Sequence, residues 1–399
     1  MRFSSITPLL TLSLTAFAGT ARAQDAPSPV VETEAPAATS DPIDASSTKE
    51  GKGKKPKRAP GTLEWKARVF ARAAQETTTV SNNGTPSTAE RRRLTVPSAR
   101  FGLRYQFVDW LMLEAEGDLT SRSVIRDAFI QAKSKRLRAR AGHFKMPVSA
   151  ITLESPWTLP TAGRGVIQDR LEEHMLAIGR RPGFLVSAQA GGALDPELSL
   201  SAFQGAYLTG DAFDPDVETL DSGNDSQSLV ARLAVTPAGQ DVAVYAARVA
   251  TLGLMNRPRH FFIGGFDATL DAPFGLTGAR AWLEGMGGQT FYVEELVNRD
   301  TTFLTARAII AWRWGGAAEG AHYIEPFAFA GLLDPDLDRA RDLIRELSIG
   351  LNLGLWQSAR LTLQFETASG QDLLPGQLFL GNLNLKSHRA GLVQVGAAF

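Results

Sequence analysis

The chain has 399 residues, no cysteine, and 42 basic side chains balanced by 42 acidic ones. The lack of cysteine excludes a disulfide framework, thiolate metal sites and a lipid anchor on cysteine. The charge balance gives no global field for nucleic acid, so any preference for charged solutes must come from the local placement of charge.

The first 23 residues have the three parts of a secretory signal peptide. Arg2 is a positive start, residues 6–18 form an apolar stretch, and Ala21-Arg22-Ala23 is a cleavage motif of the A-x-A type. The apolar stretch is shorter than the roughly 20 residues that a membrane-spanning helix needs. No later window has a long uncharged apolar run. We therefore predict that residues 1–23 are a signal peptide and that the exported chain has no membrane helix.

Residues 24–60 are rich in Pro, Ala, Ser and Thr and end in a basic run, KEGKGKKPKR, at 49–58. This composition cannot bury enough apolar surface to offset the entropy lost on ordering. We predict a disordered periplasmic tether over 24–60, followed by one folded domain over 61–399.

From Gly61 onward, apolar and polar residues alternate in short segments. In 100–107 the odd-numbered residues are Phe, Leu, Tyr and Phe, and the even-numbered ones are Arg, Gly, Arg and Gln. Segments 304–314 and 360–366 repeat the pattern. In a strand this alternation places the two sets on opposite faces. An apolar face with aromatic ends, opposite a charged face, is typical of a transmembrane barrel, although a soluble sandwich also alternates.

The connections between these segments alternate between short turns and longer loops, with 120–123 as a short exception. Outer-membrane barrels have an even number of strands, short periplasmic turns and longer outer loops, whereas a soluble sandwich has no reason to sort its loops. The sequence therefore predicts an all-β, transmembrane antiparallel β-barrel of about 16 strands in the bacterial outer membrane. The predicted strands are 63–75, 92–107, 110–119, 124–133, 137–145, 183–190, 197–207, 228–236, 241–252, 261–270, 276–287, 301–314, 322–333, 343–354, 358–368 and 388–399.

The last predicted strand alternates up to Phe399. An aromatic residue at the end of the final strand is typical of bacterial outer-membrane barrels. An even strand number also places both ends of the barrel on the periplasmic side, where the tether would lie.

The longest predicted loop, 146–182, is the third on the outer side. It is rich in Ile, Leu, Val, Met and Trp, so we expect it to fold into the lumen and to narrow the channel there. Sixteen strands leave an aqueous lumen, and the charges at its narrowest point set its selectivity. The charges of this loop are balanced: Arg164, Arg170, Arg180 and Arg181 stand against Glu154, Asp169, Glu172 and Glu173.

Further basic residues lie on the strand that enters this loop. Arg138 and Arg140 share its polar face, and Lys145 follows at its end. The planar guanidinium group donates paired hydrogen bonds to oxyanions and keeps its charge. For any single one of these arginines, pairing with an acid to brace the wall is the favoured interpretation, while the group as a whole can still set selectivity. The candidates for pore constriction and anion binding are Lys145, Arg170, Arg181, Arg164, Arg180, Arg138 and Arg140.

Features of an enzyme or a metal site are lacking in the sequence. The five histidines do not cluster, and there is no H-E-x-x-H, G-x-S-x-G or P-loop motif. The acidic stretch DPDLD at 334–338 lacks the spacing and the closing Glu of a calcium loop. We expect no enzymatic activity, no metal, no cofactor and no nucleic-acid partner.

Several segments together resemble the phosphate-selective porin O and P family. The segments are RDAF at 126–129, AGHFKMP at 141–147, DAPFGLTGARAWLE at 271–284 and ELSIGLNLGL at 346–355. The resemblance implies a 16-stranded trimeric barrel with an arginine-lined path to a narrow anion site. It also implies that Lys145, Arg170 and Arg181 lie at the constriction. His143 stands where the family has Gln, and the loop has as many acids as arginines.

These observations predict a porin for passive diffusion of small solutes, in particular anions such as phosphate. Its expected partners are small anionic solutes, outer-membrane lipid and lipopolysaccharide, and two further copies of the chain. The alternative is a surface barrel plugged by its long loop, which would act as an adhesin or scaffold without transport. The two differ in whether the lumen is open, and the sequence leaves that question open.

Overall fold

The computed structural model describes most of the chain beyond residue 58. The predicted signal peptide and almost all of the predicted tether lie outside the described residues. The described ranges are 59–82, 85–121, 124–174, 177–207, 227–252, 258–291, 300–315, 322–338, 343–355, 358–370 and 384–399.

Eighteen strand segments form one closed sheet, because β1 pairs with both β2 and β18. Two short segments, β8 and β14, continue β7 and β13 past an interruption, which leaves 16 wall strands as predicted. All neighbours are antiparallel except the two-residue contact of β8 with β10. The strands are β1 Thr62–Asn82, β2 Thr85–Val108, β3 Leu111–Asp118, β4 Ile125–Lys133, β5 Leu137–Lys145, β6 Arg180–Gln189, β7 Glu197–Gln204, β8 Ala206–Tyr207, β9 Gln227–Val235, β10 Asp241–Leu252, β11 Pro258–Asp271, β12 Ala279–Phe291, β13 Asp300–Trp312, β14 Trp314–Gly315, β15 Tyr323–Asp334, β16 Ile344–Leu355, β17 Ala359–Gly370 and β18 Asn384–Ala398.

Two short helices, α1 (Ala150–Leu153) and α2 (Val166–Asp169), lie in the connection between β5 and β6, where a π-helical turn (Arg170–His174) follows α2. Single 3-10 turns occupy Pro237–Gly239 and Pro273–Gly275. In the described part of the chain, no helix has the length and apolar character that crossing a membrane requires.

The predicted alternation of faces is confirmed. Phe101, Ile310 and Phe365 are 47%, 57% and 50% exposed, whereas Arg307 and Arg360 are each 2% exposed. A soluble protein buries its apolar side chains, but here the apolar face points outward from the barrel and the polar face points inward. A closed barrel with an apolar exterior belongs in the bacterial outer membrane, with its short turns on the periplasmic side.

The predicted strands 63–75 and 92–107 leave residues 76–91 as the first outer loop, and this prediction is wrong. Strands β1 and β2 continue through it as one hairpin, with Thr77 opposite Glu90 and Thr79 opposite Thr88. The run of β-branched residues at 77–80 favours extended backbone, and β18 supports β1 from the other side as far as Ser81.

A β-bulge in this hairpin changes which residues of β2 face the lumen. Between Phe70 and Arg72 on β1, the partner on β2 advances three residues, from Ser98 to Thr95. Pro97 lies inside this step, and a proline interrupts a ladder because it lacks the backbone N–H. Beyond the bulge, residues 91 and 93 lie opposite residues 76 and 74, which belong to the inward face.

Candidate functional site

The connection between β5 and β6, residues 146–179, folds into the lumen as expected. Ile151 and Leu159 on this loop are 0% and 1% exposed. They pack in a cluster with inward-facing side chains of β12, β13 and β15, which are Trp282, Ile309, Ala311, Phe327 and Phe329.

The second half of the loop packs on a larger apolar surface of the wall. Ile167, Leu171 and Ile178 are buried in this cluster. Their wall partners run from β4 to β16: Phe129, Phe144, Leu185, Phe203, Val230, Tyr245, Ala247, Val249, Phe261, Ile263, Met286, Phe303, Leu333 and Ile344. The loop and these side chains fill much of the interior, and the cluster also reaches Phe129, Phe144 and Leu185 on β4–β6. We call the part along β9–β17 the filled sector.

A fully buried ion pair supports the filled sector. The side chains of Arg307 and Glu284 are 0% and 1% exposed and lie 2.5 Å apart. Ser149 of the loop donates a hydrogen bond to Glu284 Oε2 at 2.6 Å, and Arg307 Nη1 donates to Gln168 Oε1 at 2.9 Å. The loop thus provides partners that a buried ion pair needs for its remaining donors and acceptors.

Wall side chains also donate hydrogen bonds to loop carbonyl groups. Irregular backbone inside a barrel needs such partners wherever it is buried from water. Arg360 donates to Pro156 at 3.1 Å, Trp157 at 2.9 Å and Leu159 at 2.7 Å, Arg280 donates to Thr158 at 3.1 Å, Asn352 donates to Pro160 at 2.8 Å and Arg72 donates to Ala162 at 2.5 Å.

Glu346 holds the start of α2 against β16. Its Oε2 accepts a hydrogen bond from the Ile167 backbone N–H at 3.2 Å. Gly165 precedes α2 with φ +82°, and a Cβ atom built there would lie 2.4 Å from the Glu346 carboxylate. A Cβ atom at Gly331 would lie 2.6 Å from the same group. Glycine is therefore required at 165 for both its backbone conformation and its lack of a side chain.

Lys145 and Arg164, both predicted to bind anions, are engaged within the loop. Lys145 Nζ donates to the carbonyl oxygens of Thr152, Leu153 and Glu154 at 2.6–3.1 Å. Arg164 donates to Ile151 and Glu154 carbonyl oxygens at 2.9 and 2.5 Å. Burial lowers the pKa of the Arg164 guanidinium to about 9, and repulsion from Arg100 and Arg180 contributes. The group still carries its charge at neutral pH.

Arg181 and Arg170, two further candidates, lie on β6 and in the π-helical turn after α2. Arg181 is 7% exposed and donates to Ser228 Oγ at 3.0 Å. Arg170 is half-buried in the turn that follows α2. The described contacts of Lys145 and Arg181 are with loop carbonyl groups and Ser228, and the role of Lys145, Arg170 and Arg181 at the constriction stays a prediction.

The opposite wall, β2–β6, keeps contact with water along a row of arginines. We call Arg126, Arg180, Arg100, Arg140, Arg104 and Arg138 the basic row, taken from the outer end toward the periplasm. Side-chain exposures in the row are 28% for Arg126, 12% for Arg180, 10% for Arg100, 25% for Arg104 and 33% for Arg138. Arg307 in the filled sector is completely buried, although Arg280 and Arg313 are 12% and 31% exposed.

Most of the basic row is paired with carboxylates. Arg180 lies 3.3 Å from Asp127, Arg100 lies 3.2 Å from Glu116, and Arg104 lies 2.6 Å from Glu114. Arg126 lies 3.8 Å from Asp118, and Arg138 is paired with Glu197. These pairs brace the wall, which is the interpretation favoured from the sequence for any single arginine.

Arg140 differs from the rest of the row. It donates to Gln131 Oε1 at 2.8 and 3.2 Å, and its guanidinium lies 4.1 Å from the centre of the Phe129 ring. It forms no ion pair with any carboxylate that the structure describes. Arg140 thus places a half-buried positive charge, without a carboxylate partner, midway along the row.

Three members of the row, Arg100, Arg104 and Arg126, were not among the predicted candidates. The alternation in 100–107 places Arg100 and Arg104 on the inward face, so their sequence pattern could have identified them. Arg91 and Arg93 at the outer mouth could not be identified in this way, because the bulge at Pro97 reverses the alternation. Arg93 lies 3.4 Å from Glu76.

Metal-binding groups are not formed by the part of the chain that the structure describes. No three His, Asp or Glu side chains come together there at ligand spacing. This includes the acidic stretch at 334–338.

No family model matches the chain. No curated protein matches it either.

Its fold is similar to solved outer-membrane proteins. An anion-selective porin from Comamonas acidovorans is 12% identical with a TM-score of 0.56, over 85% of this chain and 100% of the porin. The outer membrane channel DcaP of Acinetobacter baumannii is 12% identical with a TM-score of 0.57, over 85% and 98%. OprB of Pseudomonas putida is 9% identical with a TM-score of 0.52, over 85% and 94%. At these identities the likeness establishes the fold: a closed 16-stranded barrel of the kind found in outer-membrane porins.

Proposed function

We propose that this barrel is a passive outer-membrane channel for small anions, with phosphate as the solute class to test first. The observation that carries the proposal is Arg140, whose charge lacks a carboxylate partner on the water-exposed side of the lumen. A charge held in a partly buried site is costly unless an opposite charge reaches it, so a mobile anion stabilises this position.

The setting of Arg140 suits a weak and transient site. Phe129 covers one face of the guanidinium, and Gln131 accepts only part of its donors. The remaining N–H groups match the geometry of an oxyanion such as phosphate. Conduction needs binding that is favourable enough for entry and weak enough for release.

Other charges along the same wall extend the path. Arg91 and Arg93 are exposed on the hairpin beyond the outer end of β3. Besides the Arg93–Glu76 pair at the mouth, basic side chains in the lumen outnumber acidic ones along β1–β7. The basic ones are Lys66, Arg68, Arg72, Arg100, Arg104, Arg126, Arg138, Arg140, Arg180 and Arg181, and the acidic ones are Glu64, Glu114, Glu116, Asp118, Asp127 and Glu197. An excess of positive charge in a narrow lumen raises the local concentration of anions.

The loop contributes to selectivity by setting the width of the channel, and it does not supply a ring of anion ligands. It occupies the filled sector and confines solutes to the basic row. The resemblance to the phosphate-selective porins, together with the anion-selective porin among the similar structures, supports an anionic solute. We also propose the homotrimer that the resemblance implies. Cross-linking of native membranes should then give trimer bands that disappear on heating.

The experiment is conductance in a planar bilayer. In a KCl gradient we expect a reversal potential that shows preference for chloride, and we expect millimolar phosphate to reduce the chloride current. A cation preference would contradict the proposal. Anion preference without phosphate inhibition would leave the anion channel and remove phosphate as its solute.

A second candidate is a plugged barrel that serves as a surface scaffold. The dense packing of the loop on the filled sector favours it, since 16-stranded barrels are wide enough for water only where no loop fills them. It predicts no conductance from folded protein, so the same bilayer experiment separates the two.

A further inference from the structure

The outward face of the barrel has a basic patch at its outer edge. On β16, the apolar run Leu351, Ile349 and Leu347 ends at Arg345. On β18, the run Val395, Val393 and Gly391 ends at Arg389. On β2, Phe101 and Leu94 are followed by Arg92. Each arginine is the first polar side chain beyond the apolar belt of its strand.

The register brings these three arginines onto one surface. Arg345 lies opposite Ser369 of β17, which lies opposite Ser387 of β18. Arg389 lies opposite Thr367 of β17 and Thr77 of β1. Arg92 lies opposite Gln75 of β1. Successive arginines are thus two strands apart, which is about 10 Å across the sheet. Hydroxyl and amide side chains lie between them.

These arginines are exposed, and none forms an ion pair with a carboxylate in the described residues. Two acids, Glu90 and Asp334, share this surface, but neither is paired with an arginine of the patch. The contrast with the lumen is clear, because there all members of the basic row except Arg140 have a carboxylate partner. The patch therefore has unused capacity for an anionic partner.

The position of the patch indicates what that partner is. An apolar belt about 25 Å tall matches the hydrocarbon region, and the first polar residues beyond it lie at the level of the lipid headgroups. Arginines at that level interact with anionic headgroups, and the guanidinium fork matches phosphate. A ligand held there also lays its acyl chains on the exposed Leu347, Val393 and Leu94, which are 49%, 45% and 84% exposed.

We propose that Arg92, Arg345 and Arg389 form a binding site for the phosphate groups of a phosphorylated glycolipid in the outer leaflet. The site is separate from the lumen and does not depend on the channel function. A glycolipid bound there would hold the barrel in its surrounding lipid and cover the three arginines at its outer edge.

The test uses the full-length protein in detergent and lipid A that carries both phosphates. We expect Arg345→Gln/Arg389→Gln to weaken lipid A binding about thirtyfold, which corresponds to about 1 kcal/mol for each arginine at an anionic lipid surface. The matched control is Arg91→Gln/Arg93→Gln, which removes the same charge from the face toward the mouth and should bind lipid A as the unaltered protein does. Native mass spectrometry with lipid A titration measures both.

Three further outcomes decide the proposal. Dephosphorylated lipid A should bind the unaltered protein as weakly as phosphorylated lipid A binds the first double variant. Equal binding by both double variants would overturn the proposal. Displacement of lipid A by millimolar inorganic phosphate would also overturn it, since it would show a free-phosphate site. The gel-mobility shift on heating confirms that each variant is folded.

Discussion

Two regions of the lumen use the same residue types in opposite ways. In the filled sector, Arg307 and Glu284 are fully buried and the loop provides their remaining partners. In the basic row, paired arginines such as Arg104 and Arg138 keep a quarter to a third of their side chains exposed. Charge alone therefore does not mark a pathway in a barrel. We propose that the pathway follows the charges that water reaches, and above all the one that lacks an ion-pair partner.

Removing one member of the buried ion pair in the filled sector should give the largest loss of stability. Arg307→Met should destabilise the barrel by about 3–5 kcal/mol, because it leaves the Glu284 carboxylate buried and unpaired. Urea unfolding in phospholipid vesicles, followed by tryptophan fluorescence, measures the change. The double variant Arg307→Met/Glu284→Leu should recover much of the loss. A double variant as unstable as the single one would show that the pair itself is stabilising.

Truncating the apolar contact between the loop and the wall should give the next largest loss of stability. Ile151→Ala should cost about 2–5 kcal/mol, the usual range for truncating a buried aliphatic side chain. It should also loosen the loop, so we expect larger and noisier single-channel currents. The control is Leu198→Ala, since Leu198 is 48% exposed on the lipid-facing side. If both variants give the same currents as the unaltered protein, the loop does not set the channel width.

A smaller effect is expected where the loop meets Glu346. Gly165→Ala places a Cβ atom 2.4 Å from the Glu346 carboxylate at a backbone φ of +82°. We expect a loss of about 1–3 kcal/mol from strain and displacement of the carboxylate. Gly163→Ala is the matched control, since a Cβ atom there meets nothing within 4 Å. Equal midpoints of urea unfolding for the two variants would disprove the contact.

The effect on selectivity is the smallest in free energy. Arg140→Gln should reduce the chloride-to-potassium permeability ratio about fourfold, which is roughly 0.8 kcal/mol. Arg181→Gln removes the same charge from a buried position and should leave the ratio within about 20% of its original value, because a solute in the pathway does not contact that side chain. Reversal potentials in a KCl gradient measure both. A larger change of the ratio for Arg181→Gln than for Arg140→Gln would show that the solute pathway does not pass Arg140.

The sequence predicted the architecture because local rules determine it. Alternation placed Arg307 and Arg360 inside and Phe365 outside, and the apolar composition of 146–182 predicted a loop folded into the lumen. The hairpin at 76–91 was missed, since its strands extend past the membrane, where no apolar belt marks them. The Pro97 bulge then reversed the faces of Arg91 and Arg93.

The roles of individual charges could not be predicted, because they depend on partners far away in the chain. Lys145 donates to backbone carbonyl groups that only the folded loop after β5 brings close to it. Glu284 meets Ser149 across 135 residues. Arg140 is distinguished only by the lack of an ion pair with a described carboxylate, which no local pattern shows.

We propose that water and solutes pass along the basic row and not through the filled sector. The chain has no cysteine, so single cysteines report on access without background. Arg140→Cys and Ser348→Cys, the latter at a wall position only 4% exposed, should be treated with a charged methanethiosulfonate reagent during bilayer recording. We expect the current to fall in Arg140→Cys and to stay constant in Ser348→Cys. A fall in Ser348→Cys with none in Arg140→Cys would contradict this proposal.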